Sequence, residues 1–136
     1  MPNKVLLYVE DEDAAVFLLE TALQEAQIPV QLYRVSDGEQ ALAFLQKAGA
    51  YSKAPRPDLI LLDLNLPRMN GLEVLSEMQS HGDLRSIGVV VFTSSSLAAD
   101  RRRSLSLGAR EYITKPSSFD GFVQAVRTAC SQLPTQ

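Results

Sequence analysis

Cysteine is nearly absent: Cys130 is the only one in 136 residues. No disulfide can form within the chain, and a reducing compartment fits best. Cys130 itself reads as a small apolar residue on a helix face rather than a reactive thiol. Histidine is equally scarce. The sole one, His81, sits in Ser80-His81-Gly82-Asp83 and reads as a surface loop residue, not a phosphohistidine. Long apolar runs are missing too. No stretch approaches the length of a membrane span, and the N-terminal run Val5–Val9 stops at Glu10, too short for a secretory h-region. The expectation is a soluble, cytoplasmic protein with no membrane partner. Excess positive charge is also absent: the net charge is −3, which gives no reason to expect nucleic-acid binding. The local exception, Arg101-Arg102-Arg103, reads as a solvated helix face or a contact for an acidic partner. No internal repeat, low-complexity tract or second domain appears. The length suits one domain, 1–136, able to bury roughly two-thirds of its unfolded surface.

What is present is a set of short apolar runs, each ending in a chemically active residue. Val5-Leu6-Leu7-Tyr8-Val9 leads into Glu10-Asp11, and Leu59-Ile60-Leu61-Leu62 into Asp63. Val89-Val90-Val91-Phe92 leads into Thr93, and Glu111-Tyr112-Ile113-Thr114 into Lys115-Pro116. Such runs read as strands buried on both faces, as in a parallel sheet. Open parallel sheets bind ligands outside the carboxyl ends of their strands. If these strands lie side by side, three carboxylates, a hydroxyl and an ammonium converge on one edge.

Helical stretches alternate with the strands. Asp13 to Gln27 places Val16, Leu19, Leu23 and Ala26 at helical spacing, ended by Ile28-Pro29. Val30, Leu32 and Val35 mark a more exposed edge strand. Asp37-Gly38 opens a helix carrying Ala41, Leu42 and Leu45, and Ala48 to Pro57 is a loop without periodicity. Leu72, Leu75 and Met78 mark the next helix. Ser94-Ser95-Ser96 offers N-caps for a helix through Leu107, closed by Gly108. Ser117 or Ser118 caps a last helix with Phe119, Phe122, Val123, Val126 and Cys130. Gly38 and Gly71 read as turn residues. Five β–α units imply an α/β fold, a parallel sheet wound on both sides.

The converging groups suit a divalent cation and a phosphoryl group. Mg²⁺ prefers oxygen ligands and is typically held by one or two carboxylates together with phosphate oxygens and water. Asp11 and Asp63 supply carboxylates, Glu10 a third through water, and a backbone carbonyl just after Asp63 a further ligand. Three carboxylates this close repel one another, a strain that a cation relieves. A carboxylate is also a competent nucleophile toward phosphorus. With Asp63 attacking, Lys115 and the Thr93 hydroxyl would neutralise phosphoryl oxygens, and the small Ser94 leaves room for the group.

These residues resemble the receiver domain of two-component response regulators over Lys4 to about Leu133, the doubly wound fold of the chemotaxis response regulator. The family pattern is an acidic pair after the first strand, a phosphorylated Asp after the third, Thr or Ser after the fourth and Lys-Pro after the fifth. Glu10-Asp11, Asp63, Thr93 and Lys115-Pro116 match it, as do Pro67 and Gly71 in the following loop. The resemblance implies a flavodoxin-like five-stranded sheet of order 2-1-3-4-5 and Mg²⁺ at Glu10, Asp11, Asp63 and the Asn65 carbonyl. It makes Asp63 the phosphoacceptor, with Thr93 and Lys115 assisting. It makes Thr93 and Tyr112 the switch pair, Tyr112 turning inward as Thr93 shifts. It also implies a cis Lys115–Pro116 bond that sets the ammonium over the site. Glu10 departs from the commoner Asp. The stretch Ala54 to Pro67 is similar to stand-alone receivers paired with bacterial and cyanobacterial phytochrome histidine kinases.

The resemblance implies a signalling switch rather than an enzyme with an external substrate. Its partners would be a sensor histidine kinase, including a bacteriophytochrome, and a second copy of the chain. With no output domain expected, Leu97, Arg101, Arg102, Phe119 and Phe122, near Tyr112, form the expected homodimer face. A phosphatase or phosphotransferase of the haloacid dehalogenase type also uses an Asp after an apolar strand. Such enzymes need a second acid where this chain has Asn65, which cannot protonate a leaving group, and the chain is short for a cap domain. A flavodoxin-like cofactor binder is disfavoured because the acidic strand edge would repel a flavin phosphate.

Overall fold

The structure, a computed structural model, describes residues 3–134; the expected domain 1–136 includes residues 1, 2, 135 and 136, which lie outside the described residues. Five strands alternate with five α-helices: β1 (Lys4–Val9), α1 (Asp13–Glu25), β2 (Val30–Val35), α2 (Gly38–Gln46), β3 (Leu59–Leu62), α3 (Gly71–Gln79), β4 (Gly88–Thr93), α4 (Ala98–Ser106), β5 (Glu111–Thr114) and α5 (Phe119–Cys130). All strand pairs are parallel, as expected from the apolar runs, and the order is β2-β1-β3-β4-β5, as the receiver resemblance implies.

Alternation along the strands splits the core into two layers. Leu7, Val9, Ile60, Leu62, Val89 and Val91 face α2 and α3, meeting Phe44, Val74, Leu75 and Met78. Leu6, Tyr8, Leu59, Leu61, Val90 and Phe92 face α1 and α5, meeting Leu19, Leu23, Phe122 and Val126. Strands buried on both sides explain the unbroken apolar runs. β2 lies at the sheet edge and is correspondingly half-exposed.

Three boundaries differ from the sequence reading. α1 ends at Glu25, and Gln27 turns into the left-handed region before Pro29. The loop Ala48–Pro57 contains a 3-10 turn at Gly49–Tyr51, whose Tyr51 packs on Phe44, itself edge-on to Tyr33. The N-cap of α4 is Leu97, not a serine, and Leu97 has no side chain able to cap. Asp37 and Ser118 do cap α2 and α5, accepting from the Gln40 and Gly121 amides. Gly38 is more than a turn residue: a Cβ there would collide with the Met69 carbonyl, so its absence lets the loop after β3 lie against the start of α2.

Candidate functional site

The parallel register aligns the strand ends. Val9 pairs with Leu62 and Leu62 with Val91, so the residues that follow emerge together at the carboxyl edge. Asp63 is buried (6% exposed), fixed by its amide donating to the Val9 carbonyl. Its Oδ1 accepts from the Thr93 hydroxyl at 2.9 Å and the Asn65 amide at 3.1 Å. Its Oδ2 lies 3.3 Å from Lys115 Nζ. Thr93 is fully buried. Lys115 is positioned by its own amide on the Thr93 carbonyl, and its ammonium also lies 6.0 Å from the Tyr8 ring centroid and 5.8 Å from that of Phe92. No peptide bond among the described residues is cis; Lys115–Pro116 is trans, contrary to the expectation, and Lys115 reaches Asp63 regardless.

Glu10 differs from its expected orientation. It is completely buried, with Oε1 2.6 Å from Lys115 Nζ and 3.3 Å from the Tyr8 hydroxyl, and Oε2 accepting from the Glu12 amide at 3.1 Å. Both oxygens are thus engaged within the protein. Burial pushes its pKa up, opposed by the Lys115 ammonium. Burial, reinforced by Glu10 and Asp63, likewise pushes the Tyr8 hydroxyl pKa up, so Tyr8 stays a protonated donor to Glu10. The extra methylene of Glu10 takes its carboxylate to the lysine. Asp11, by contrast, is exposed at the mouth of the site.

Asp11, Glu12, Asp63, Asn65, Ser94 and Lys115 line one cleft of about 430 Å³, with Ala15, Leu18, Pro116 and Phe122 as its apolar wall. No cluster of three or more carboxylate, histidine or cysteine ligands occurs among the described residues. The oxygen-only character of the donors still fits a hard divalent cation, which needs only one or two carboxylates when water and phosphate complete its shell. Asp63, Asp11 and Asn65 share the cleft, whereas Glu10 is turned away into its contact with Lys115.

Tyr112 is buried against the sheet, its hydroxyl donating to the Ser95 carbonyl at 2.8 Å. Arg101 covers it, with Cζ 5.9 Å from the ring centroid and Nη1 donating to the Tyr112 carbonyl at 3.2 Å. The inward tyrosine and the Thr93–Asp63 hydrogen bond therefore occur together.

The family of the sequence profile described as "Response regulator receiver domain" matches residues 6–127. The chain belongs to the response regulator receiver family. Response regulator Rcp1 of Synechocystis sp. is 42% identical over 126 residues, covering 93% of this chain and 86% of that protein. A solved Mn²⁺-bound form of Rcp1 superposes with a TM-score of 0.88 at 41% identity, covering 98% of this chain and 96% of that one. The phosphorylated cyanobacterial phytochrome response regulator RcpA gives 0.89 at 39% identity, covering 96% and 94%. The bacteriophytochrome response regulator RtBRR gives 0.80 at 38%, covering 100% and 80%. The receiver is therefore a signalling protein related to phytochrome response regulators, of a family that binds a divalent metal and takes phosphate from histidine kinases. The haloacid dehalogenase reading finds no support.

Sequence reasoning missed three residues that shape this site. Arg34 of β2 donates to the Glu10 carbonyl at 2.8 Å and pairs with Asp13 at the same distance, pinning the turn that carries Glu10 and Asp11. Tyr8 was legible only as a strand residue; a hydroxyl in an otherwise aliphatic buried run was the available signal. Ser95 was one of three candidate caps, with nothing to single it out. Phe122 is corrected from surface to core: it is 3% exposed and stacks near Phe92. Phe119 and Leu97 are exposed, at 40% and 65%.

Proposed function

We propose that Asp63 is the phosphoacceptor of this receiver, taking a phosphoryl group from the phosphohistidine of a sensor kinase. The observation that carries the reading is the convergence of Thr93 Oγ1 and Lys115 Nζ on the two oxygens of one buried carboxylate. An Asp63 oxygen attacks phosphorus, the phosphorus–nitrogen bond of the donor breaks, and an acyl phosphate forms. Lys115 is already held at the site by Glu10 and neutralises one phosphoryl oxygen, while the Thr93 hydroxyl donates to another. Ser94, exposed and small, leaves space beside them. Such transfer depends chiefly on positioning and charge neutralisation.

Asp11, Asp63 and the Asn65 carbonyl would hold the Mg²⁺, and Glu10, whose oxygens accept from Lys115, Tyr8 and the Glu12 amide, would reach the ion at most through water. When bound, the ion supplies positive charge against the carboxylates and the phosphoryl oxygens. Tyr112 and Thr93 form the switch, read out on the surface of α4, β5 and α5. The likeness to Rcp1, RcpA and RtBRR supports a phytochrome-type kinase as donor and a cytoplasmic location; none of the described helices is long and apolar enough to cross a membrane. Leu97, Arg101, Arg102 and Phe119 remain as the homodimer face after the loss of Phe122 to the core. Two-fold dimers are the commonest soluble assembly.

The test is phosphotransfer from a panel of autophosphorylated histidine kinases, phytochrome kinases included, with light scattering of the product. Rapid transfer from a phytochrome kinase, with dimer formation, supports the reading. No transfer from any member, alongside a monomer at high micromolar concentration, counts against it.

A further inference from the structure

Ser95 is in contact with the site, the switch aromatic and α4 at once. Its amide approaches Thr93 Oγ1 at 3.4 Å. Its carbonyl accepts from the Tyr112 hydroxyl at 2.8 Å and from Thr114 Oγ1 at 3.2 Å. Its own hydroxyl donates to Asp100 Oδ2 at 2.6 Å and accepts from the Leu97 amide at 3.3 Å. The last two bonds reach into the start of α4, whose N-cap residue Leu97 has no side-chain cap to offer. The first amides of a helix lack intrahelical acceptors, and here Ser95, two residues before the formal cap, supplies one.

Packing does little else to fix α4. Of its nine residues only Ser104 is buried, and the Ser104 hydroxyl has no hydrogen-bond partner among the described residues. With so little apolar area holding the helix, a short hydrogen bond to a carboxylate weighs heavily in placing its first turn. The backbone of Ser95 answers to Thr93 and Tyr112, while its side chain answers to Asp100.

We propose that the Ser95 hydroxyl and the Asp100 carboxylate form a latch that transmits the state of Thr93 and Tyr112 to α4. Ser95 is a positioning residue: it touches none of the groups assigned to phosphoryl transfer except through its amide near Thr93. When Thr93 and Tyr112 rearrange, the Ser95 carbonyl moves with the Tyr112 hydroxyl, and the latch carries that displacement into α4. Without the latch, α4 would lose its first-turn anchor and respond weakly to the site.

Hydrogen exchange on the full chain tests this, comparing wild type with Ser95→Ala, Ser95→Thr, Asp100→Ala and the double variant Ser95→Ala/Asp100→Ala. Each is measured before and after treatment with acetyl phosphate and Mg²⁺. In the untreated protein, Ser95→Ala should speed exchange of the α4 amides roughly five-fold, the scale of a lost helix cap. The α5 amides should keep their rates, and Ser95→Thr should restore α4. The double variant should exchange no faster than the faster single one, because both remove one interaction. After treatment, the α4 change seen in wild type should be lost in Ser95→Ala while Asp63 labelling stays within about two-fold. Wild-type exchange in Ser95→Ala, or fully additive effects in the double variant, would overturn the latch. Only the treated arm rests on Asp63 as phosphoacceptor. Failure to label wild-type Asp63 would strike that assignment, and the untreated comparison would still decide whether Ser95 and Asp100 anchor α4, the part of the latch that does not depend on it.

Discussion

α4 and α5 flank the same strand, β5, and are held by opposite means. α5 buries Phe122, Val123, Ala125, Val126, Ala129 and Cys130 and is capped by Ser118. α4 buries Ser104 alone, has no side-chain cap of its own, and leans on Arg101 over Tyr112 and on the Ser95–Asp100 pair. One helix is scaffold, fixed by area removed from water; the other is placed by a few directional contacts that trace back to the site. The weak hold on α4 suits the reporting role proposed for it, since switching elements come from the weakly held end of a structure.

The sharpest test of that contrast is truncation. Phe122→Ala should cost about 3–5 kcal/mol by leaving a cavity between α5 and Phe92. Leu105→Ala in α4, at a residue 39% exposed, should change stability by no more than about 0.5 kcal/mol. Denaturant titration of the two variants checks it, and similar losses would erase the distinction between the helices.

Tyr112→Phe comes next in size. It removes the bond to the Ser95 carbonyl but keeps the ring under Arg101, so about 1 kcal/mol should be lost, with α4 exchange rising more than α5 exchange. A uniform rise across both helices would mean that Tyr112 acts only as core.

Much of this was legible in the sequence, and the parts that were not share a cause. Strands buried on both faces announce themselves as unbroken apolar runs, and because parallel register aligns their ends, Asp63, Thr93 and Lys115 could be placed together before any coordinates. The orientation of Glu10 could not. It is set by Lys115, 105 residues away, and a long acid can point to a cation or to a lysine equally well on local grounds. The cap of α4 was misread because three successive serines offer the same hydroxyl, and the path of the loop decides which one the helix meets. Phe119 and Phe122 are one helical turn apart, but Phe119 is the first residue of α5 and lies beyond the edge of the packed face.

A smaller effect is expected at Ser104. Its buried hydroxyl has no partner among the described residues, so Ser104→Ala should be neutral or stabilise by up to about 1 kcal/mol, read by thermal melting. A loss of more than that would show that the hydroxyl is satisfied in solution and that α4 is better held than its contacts suggest.

The smallest effect belongs to Cys130 on the scaffold side. Burial pushes its thiol up to about 11 from 9.0. A raised acid pKa means that the unfolded chain ionises first, so the contribution of this group to stability is complete below pH 9.0 and is lost as pH rises toward 11. Cys130→Ala should flatten the alkaline decline slightly, and native-state alkylation near neutral pH should be slow. Fast alkylation of the folded protein would contradict the tight packing of α5.

The most direct measurement is intact-protein mass spectrometry of wild type and Asp63→Asn after incubation with acetyl phosphate and Mg²⁺. Wild type should gain the mass of one phosphoryl group, in a form labile to hydroxylamine as an acyl phosphate is, and Asp63→Asn should gain none. Stoichiometric labelling of Asp63→Asn, or a wild-type adduct that resists hydroxylamine, would contradict the assignment of Asp63 as the phosphoacceptor.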